Sequence, residues 1–281
     1  MIKQRETQKN KEVLIMHVVY MLSYFAICWA VYLLTSSTIT FFHLQLDHTL
    51  TVVQNWNQDQ GWEIASLVKI ISFFVLFKFV SIRSISRRPL RDFFVNNFVM
   101  PDKRLFALIA FTLFFVVLSF RPVFANKVSF EFSKVFSSFI GSFIYLGCDI
   151  ILLAFIHRIY PMSKKKRIIA SLLFISLMFL LNSKVFIYSD YAEFSLLLYH
   201  AILIRLTFWK RLNWSYSFTY LTLCVCPMIS FLGIDFIWGN DYSYFVANDV
   251  SHFVVYLTLF FVSFLYINFC QSKILDKFAK A

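Results

Sequence analysis

The sequence predicts an all-α, polytopic integral membrane helix bundle of about eight transmembrane helices, with both termini cytoplasmic. Three observations carry this expectation. Hydrophobic residues are 59% of the 281 positions and charged residues only 15%, well under the roughly 25% charged content of a soluble domain. The chain alternates short polar stretches with eight apolar runs, each close to the ~20 residues needed to cross a hydrocarbon core. Twenty of the 27 Lys and Arg residues lie in five polar stretches, 3–11, 83–104, 158–167, 210–211 and 273–280, which are every second polar segment. Basic loops stay on the cytoplasmic side, so this alternation threads the chain.

The single predicted domain, 1–281, has spans at about 13–34, 64–82, 105–124, 135–156, 168–187, 191–209, 216–238 and 251–270. The first span is too long for a cleavable signal peptide and no small-x-small site follows it, so it reads as a signal anchor. After it, Phe42, Leu46, Leu50 and Val53 recur at helical spacing, which predicts an amphipathic outer connector over about 41–56. The second span is interrupted by Lys69 and Lys78. In the next inner segment Pro89 suits a first helical position and Pro101 a stop, with Leu90, Phe94 and Phe98 as an apolar stripe between them. The sixth span carries His200 and Arg205 within it. Dropping either interrupted span would move Lys164–Arg167 or the C-terminal lysines outside, against the charge rule. Trp56, Trp62, Trp209, Trp214 and Trp238 fall near span ends, where interfacial anchoring accounts for them. The first four spans are not repeated in the last four.

The net charge of +12 needs no nucleic acid. The inner segments hold 20 basic residues and five acidic ones, and the outer segments five basic and nine acidic. That imbalance is topological, and the partner it implies is a lipid bilayer with anionic headgroups. Cys28, Cys148, Cys224, Cys226 and Cys270 all lie in apolar runs, so a disulfide framework is not expected. Cys224 and Cys226 are two apart, which on a helix points them to different faces, and they read as buried thiols.

Ionisable residues inside a bilayer are costly and face the bundle interior. Asp149 lies in the fourth span, nine residues before Arg158 and so roughly 13 Å from the cytoplasmic end. Its short side chain cannot reach water from there. It reads either as an ion-coupling carboxylate or as a structural acid tied to a Lys, Arg, Ser or Tyr, and the sequence does not separate the two. The segment Leu146-Gly147-Cys148-Asp149 recurs as Leu232-Gly233-Ile234-Asp235, which makes Asp235 a further coupling candidate if the two mark inverted repeats; coincidence is the better reading in so apolar a chain. His200, in the middle of the sixth span, is the third candidate, as a proton relay or as a hydrogen-bond partner across helices. Lys69, Arg121 and Lys184 sit towards the outer ends of three different spans, against the basic-inside trend. As a group they would receive an anion or a headgroup; as individuals they would snorkel and pair with Glu63, Glu131, Asp190 or Glu193, which is the favoured reading.

No metal site or cofactor is expected. The six histidines are scattered, and neither matched axial pairs nor clustered ligands occur. HExxH, GxSxG, SxxK and Gly-rich phosphate loops are absent. Three functions are compatible with this pattern. The leading one is a transporter or flippase of a small anionic or lipid-linked substrate. The others are a non-catalytic subunit of an envelope, secretion or respiratory assembly, bound to partner membrane subunits, and an intramembrane enzyme acting on a lipid or lipid-linked sugar. The basic-inside loops fit a bacterial inner membrane.

Overall fold

Along the second span Leu67, Ile71, Phe74, Val75 and Phe79 are exposed, whereas Ala65, Ser66, Val68, Lys69, Ser72, Phe73, Leu76 and Val80 are buried. The small residues on the inward face allow helices to approach closely, and a row of bulky apolar residues is left on the outer face. In the structure, a computed structural model, residues 2–46, 61–81, 89–119, 132–185, 190–208, 214–231, 258 and 260–268 are described. All regular structure among them is helical, with no strand.

The helices are α1 (Ile2–Leu46), α2 (Gly61–Ser81), α3 (Pro89–Asn96), α4 (Lys103–Ser119), α5 (Phe132–Ile159), α6 (Lys164–Val185), α7 (Asp190–Thr207), α8 (Trp214–Tyr220) and α9 (Cys226–Phe231), followed by a helical segment at 260–268. The described residues within the predicted spans are helical except Phe208, a turn at the end of the sixth. Among the described residues, two helical stretches, Glu12–Thr35 in α1 and Val135–Ile159 in α5, are long and apolar enough to cross a membrane by length and composition. α5 is the central element, with 67% of its apolar window buried against 28% for α1, and it packs on α1, α2, α7, α8 and α9.

A π-helical turn, Leu221–Val225, joins α8 to α9. Pro227 explains it: proline has no N–H to give the Leu223 carbonyl, and its ring would crowd that carbonyl in a regular helix. The Cys226 N–H reaches back instead to the Leu221 carbonyl, which widens the turn ahead of the proline. Cys224 and Cys226 are both buried free thiols, and Cys224 Sγ approaches the Ile109 carbonyl at 3.9 Å. Gly147 on α5 faces α8: a Cβ there would meet the Phe218 ring at 3.3 Å. The glycine beside Asp149 thus stands at a close helix contact, and the matching Gly233 and Asp235 lie outside the described residues.

The inner connector differs from its predicted stripe at two of the described positions. Phe93, rather than Phe94 or Phe98, is the fully buried anchor of α3, set edge-on to Phe155, while the side chain of Leu90 lies outside the described residues. The helix ends at Asn96, so Phe98 leaves the helical register; it is exposed, although its ring still lies against Trp214. Asp102 caps α4 by accepting the Leu105 N–H at 3.2 Å, as a residue at that position should. Arg158 donates to the Asp92 carbonyl and Trp214 to the Phe94 carbonyl, at 2.9 and 3.0 Å. Trp214 is thus bonded into the fold as well as placed near a helix end. The outer connector continues α1 through residues 41–46, and the rest of it lies outside the described residues.

Candidate functional site

Five helices deliver one side chain or more to a single point beside Asp149. Positions Tyr145 and Asp149 are four apart on α5 and so share a face. Tyr24 comes from the buried stripe of α1 that includes Met21 and Cys28, Lys69 from the inward face of α2, Met178 from α6 and His200 from α7. Lys69 is 0% exposed, Asp149 1% and His200 2%.

The carboxylate is saturated. Lys69 Nζ donates to Oδ1 and to Oδ2 at 2.8 Å each, Tyr24 Oη donates to Oδ1 at 2.8 Å, and His200 Nε2 lies 2.9 Å from Oδ2. Because an ionised carboxylate only accepts, the Nε2 nitrogen carries the proton in this arrangement. These contacts fill the roughly four lone-pair positions of the two oxygens. The ammonium is enclosed in turn. Met178 Sδ accepts from it at 3.0 Å, and it lies 4.5 Å from the Tyr145 ring centroid and 5.2 Å from that of Tyr24. Ring faces are negative and stabilise a desolvated cation. The Lys69–Asp149 pair has no net charge whichever partner holds the proton, which is how two ionisable groups can sit in a medium where an isolated charge would cost many kcal/mol.

The structure therefore joins two of the coupling candidates, Asp149 and His200, with Lys69 from the proposed anion-binding trio. Lys69 does not stand at an outer basic rim. Its stem lies on the buried face of α2, so its head turns inward to Asp149 rather than snorkelling outward. Arg121 and Asp235 lie outside the described residues. Lys184 belongs to α6, and its side chain is outside them too. Tyr24, Tyr145 and Met178 were missed as site residues. A signal for them was the spacing of Ser66, Lys69 and Ser72 along one side of α2, which sets Lys69 among small residues at a close helix contact, where it needs a counter-ion and a lining.

A second polar cluster lies at the basic end, where α5 terminates and α6 begins. His17 Nδ1 donates to the Val13 carbonyl at 2.9 Å. Its ring centroid is 6.1 Å from that of His157 and 6.2 Å from that of Tyr160. Both histidines are buried, and His17 Nε2 and His157 Nδ1 have no hydrogen-bond partner among the described residues. No group of three or more metal-ligating side chains occurs among the described residues. Comparison with protein-family models, with curated proteins and with solved structures gives no match, so the chemistry of the site rests on its own geometry.

Proposed function

We propose that the chain is an eight-span bacterial inner-membrane protein that carries or flips a small anionic or lipid-linked substrate, with Asp149, Lys69, His200 and Tyr24 as its coupling centre. The outward-facing Phe, Leu and Ile side chains and the helix lengths support the membrane reading: α2, α5 and α6 have 21, 28 and 22 residues, enough at 1.5 Å per residue to cross a ~30 Å core. The observation that carries the functional reading is the burial of three ionisable groups on one carboxylate that ties α1, α2, α5 and α7 together. A hydrophobic core of equal volume would hold the same helices as well or better. What the ionisable set adds is a state that changes with a proton. Protonation of Asp149 removes the negative charge shared by Lys69, His200 and Tyr24 and turns one accepting position into a donor, which weakens the ties of α2 and α7 to α5.

The test is transport by protein in liposomes, with a lumenal pH dye and a panel of organic and lipid-linked anions. Wild type is expected to couple one class of anion to proton movement. Asp149→Asn, still folded and inserted, is expected to lose the proton dependence; undiminished proton-coupled uptake by that variant removes the coupling role. The saturation of the carboxylate favours a second reading, a non-catalytic membrane subunit in which the network locks the bundle. In that case a mild-detergent pull-down returns a stoichiometric partner, and Asp149→Asn lowers stability without changing any flux.

A further inference from the structure

A polar stripe runs down one face of the apolar helix α1. His17, Tyr20 and Tyr24 are three and four residues apart, so they stand one above another, and all three are buried. Opposite them stand Asp149 and His157 of α5, and Tyr160 just past its end. The two rows meet pair by pair. At mid-depth Tyr24 Oη donates to Asp149 Oδ1 at 2.8 Å. Nearer the basic end Tyr20 Oη lies 3.5 Å from Tyr160 Oη, with ring centroids 5.8 Å apart. Next along α1, the His17 ring centroid is 6.2 Å from that of Tyr160 and 6.1 Å from that of His157. Between Asp149 and His157 the buried Leu153 and Ile156 make α5 apolar, so polar continuity is carried by α1.

The row is closed at one end and open at the other. Asp149 has its accepting positions filled, whereas His17 Nε2 and His157 Nδ1 have no hydrogen-bond partner among the described residues, although His17 is 0% exposed. The Nδ1 proton of His17 is committed to the Val13 carbonyl, so its neutral ring presents a lone pair at Nε2. Such a nitrogen can take up a proton and give it back through the same atom. The charged groups that reach the row from other helices are Lys69 of α2, 5.2 Å from the Tyr24 ring centroid, and Arg167 of α6, over the Phe208 ring that His157 meets edge-on. The fixed guanidinium charge disfavours a resident metal cation between the two imidazoles. Water suits the spot, with two ring nitrogens and Tyr160 Oη as its polar partners.

We propose that this row is the route by which a proton from the basic side reaches Asp149, with His157 and His17 as the entry pair and Tyr20 and Tyr24 as the relay. The route rests on the coupling reading, in which Asp149 takes up a proton, and supplies its access. A proton from water passes by way of His157 to His17 Nε2, and leaves again from Nε2 while the Nδ1 proton stays on the Val13 carbonyl. Each hydroxyl and bridging water then accepts one proton and passes on another. Tyr24 gives its hydroxyl proton to Asp149 Oδ1 as it receives one from the direction of Tyr20. Water on the basic side loses one proton, Asp149 gains one, and every group between them ends with the number it began with. Tyr20 and Tyr24 are separated by about 6 Å along α1, a step that one water spans with two hydrogen bonds of about 2.8 Å.

Infrared spectroscopy after a step to low pH, on the full-length chain in detergent, tests the route. The protonated-carboxyl band of Asp149 is assigned by its loss in Asp149→Asn. In wild type this band is expected to rise after the step. His17→Phe is expected to slow the rise on the order of a hundredfold, with the same final amplitude. Tyr20→Phe is expected to slow it as well, and decides the matter if His17→Phe does not fold. His17→Ala leaves room for a free imidazole, so imidazole in solution is expected to speed the rise in His17→Ala and not in His17→Phe. An unchanged rate in His17→Phe, or an equal response of the two His17 variants to imidazole, overturns the route. A wild-type band that never rises while the chain stays folded removes Asp149 as a proton acceptor, and with it both the route and the coupling reading. In liposomes the two fail separately. No anion flux together with a His17-dependent band refutes transport and keeps the route; proton-coupled flux together with a His17-independent band refutes the route and keeps transport.

Discussion

The centre of the bundle and its basic end handle buried polarity in opposite ways. At the centre every hydrogen-bonding position of Asp149 is met, by Tyr24, Lys69 and His200. At the basic end two buried histidines, His17 and His157, each keep a nitrogen without a partner among the described residues, and Arg167 lies over the Phe208 ring face. The difference follows from distance to water. Groups near a helix end reach solvent or headgroups after a small movement, so an imperfect match there costs little. Groups midway along a helix have only each other, and an unmet partner costs the full desolvation penalty. Burial alone therefore does not identify the consequential residues; complete mutual satisfaction at mid-depth does.

The largest expected effect comes from breaking the central pair on one side only. Lys69→Met keeps the stem volume and removes the ammonium, leaving Asp149 buried without its main counter-charge. The expected loss is about 3–5 kcal/mol, read as the unfolding midpoint in mixed detergent–SDS micelles. Removing both charges in K69M/D149L is expected to recover most of that loss, because a neutral apolar pair fills the space without a charge. If the double variant is as unstable as the single one, the pair is not the source of the coupling and the contrast with the basic end fails.

Tyr24→Phe is the next step down. It deletes one charge-assisted hydrogen bond and leaves the Lys69–Asp149 pair standing, at an expected cost of about 1.5–3 kcal/mol. A cost near zero, measured in the same micelles, would mean that the carboxylate is held by Lys69 and His200 alone.

The helical class was legible because long apolar runs with few Gly and Pro leave little but helix, and the described residues hold helix and no strand. Two of the predicted spans, the first and the fourth, coincide with helices long and apolar enough to cross a membrane. Asp149 was legible as a residue needing a partner, since its short side chain nine residues from Arg158 has nowhere else to go. The partner was not legible. Lys69 was placed by its sequence depth along one span, whereas its head position depends on the rotation of α2, and rotation is set by packing that a linear reading does not contain. Leu67, Ile71, Phe74 and Val75 lie on the exposed face of α2 and Val68, Phe73, Leu76 and Val80 on the buried one with Lys69, so apolar side chains occupy both faces and their pattern alone does not give the rotation. The docking of α3 through Phe93 was missed for a related reason: the stripe was extended to Phe98, past the point where Asn97 Nδ2 bonds the Phe93 carbonyl at 2.7 Å and the helix stops.

The same substitution at two histidines gives the finest test of the comparison. His200→Phe removes the bond to Asp149 Oδ2 and is expected to cost about 1.5–3 kcal/mol. His17→Phe removes a contact to a carbonyl within its own helix and, with it, a buried nitrogen that nothing described satisfies. The ring fills a similar space beside His157 and Tyr160, so stability is expected to stay level or rise by up to about 1 kcal/mol. The measurement is the shift in unfolding midpoint for the two variants side by side. A loss at His17 equal to that at His200 would show that the basic end holds its own bound partner, and that its polar groups are matched as fully as those at the centre.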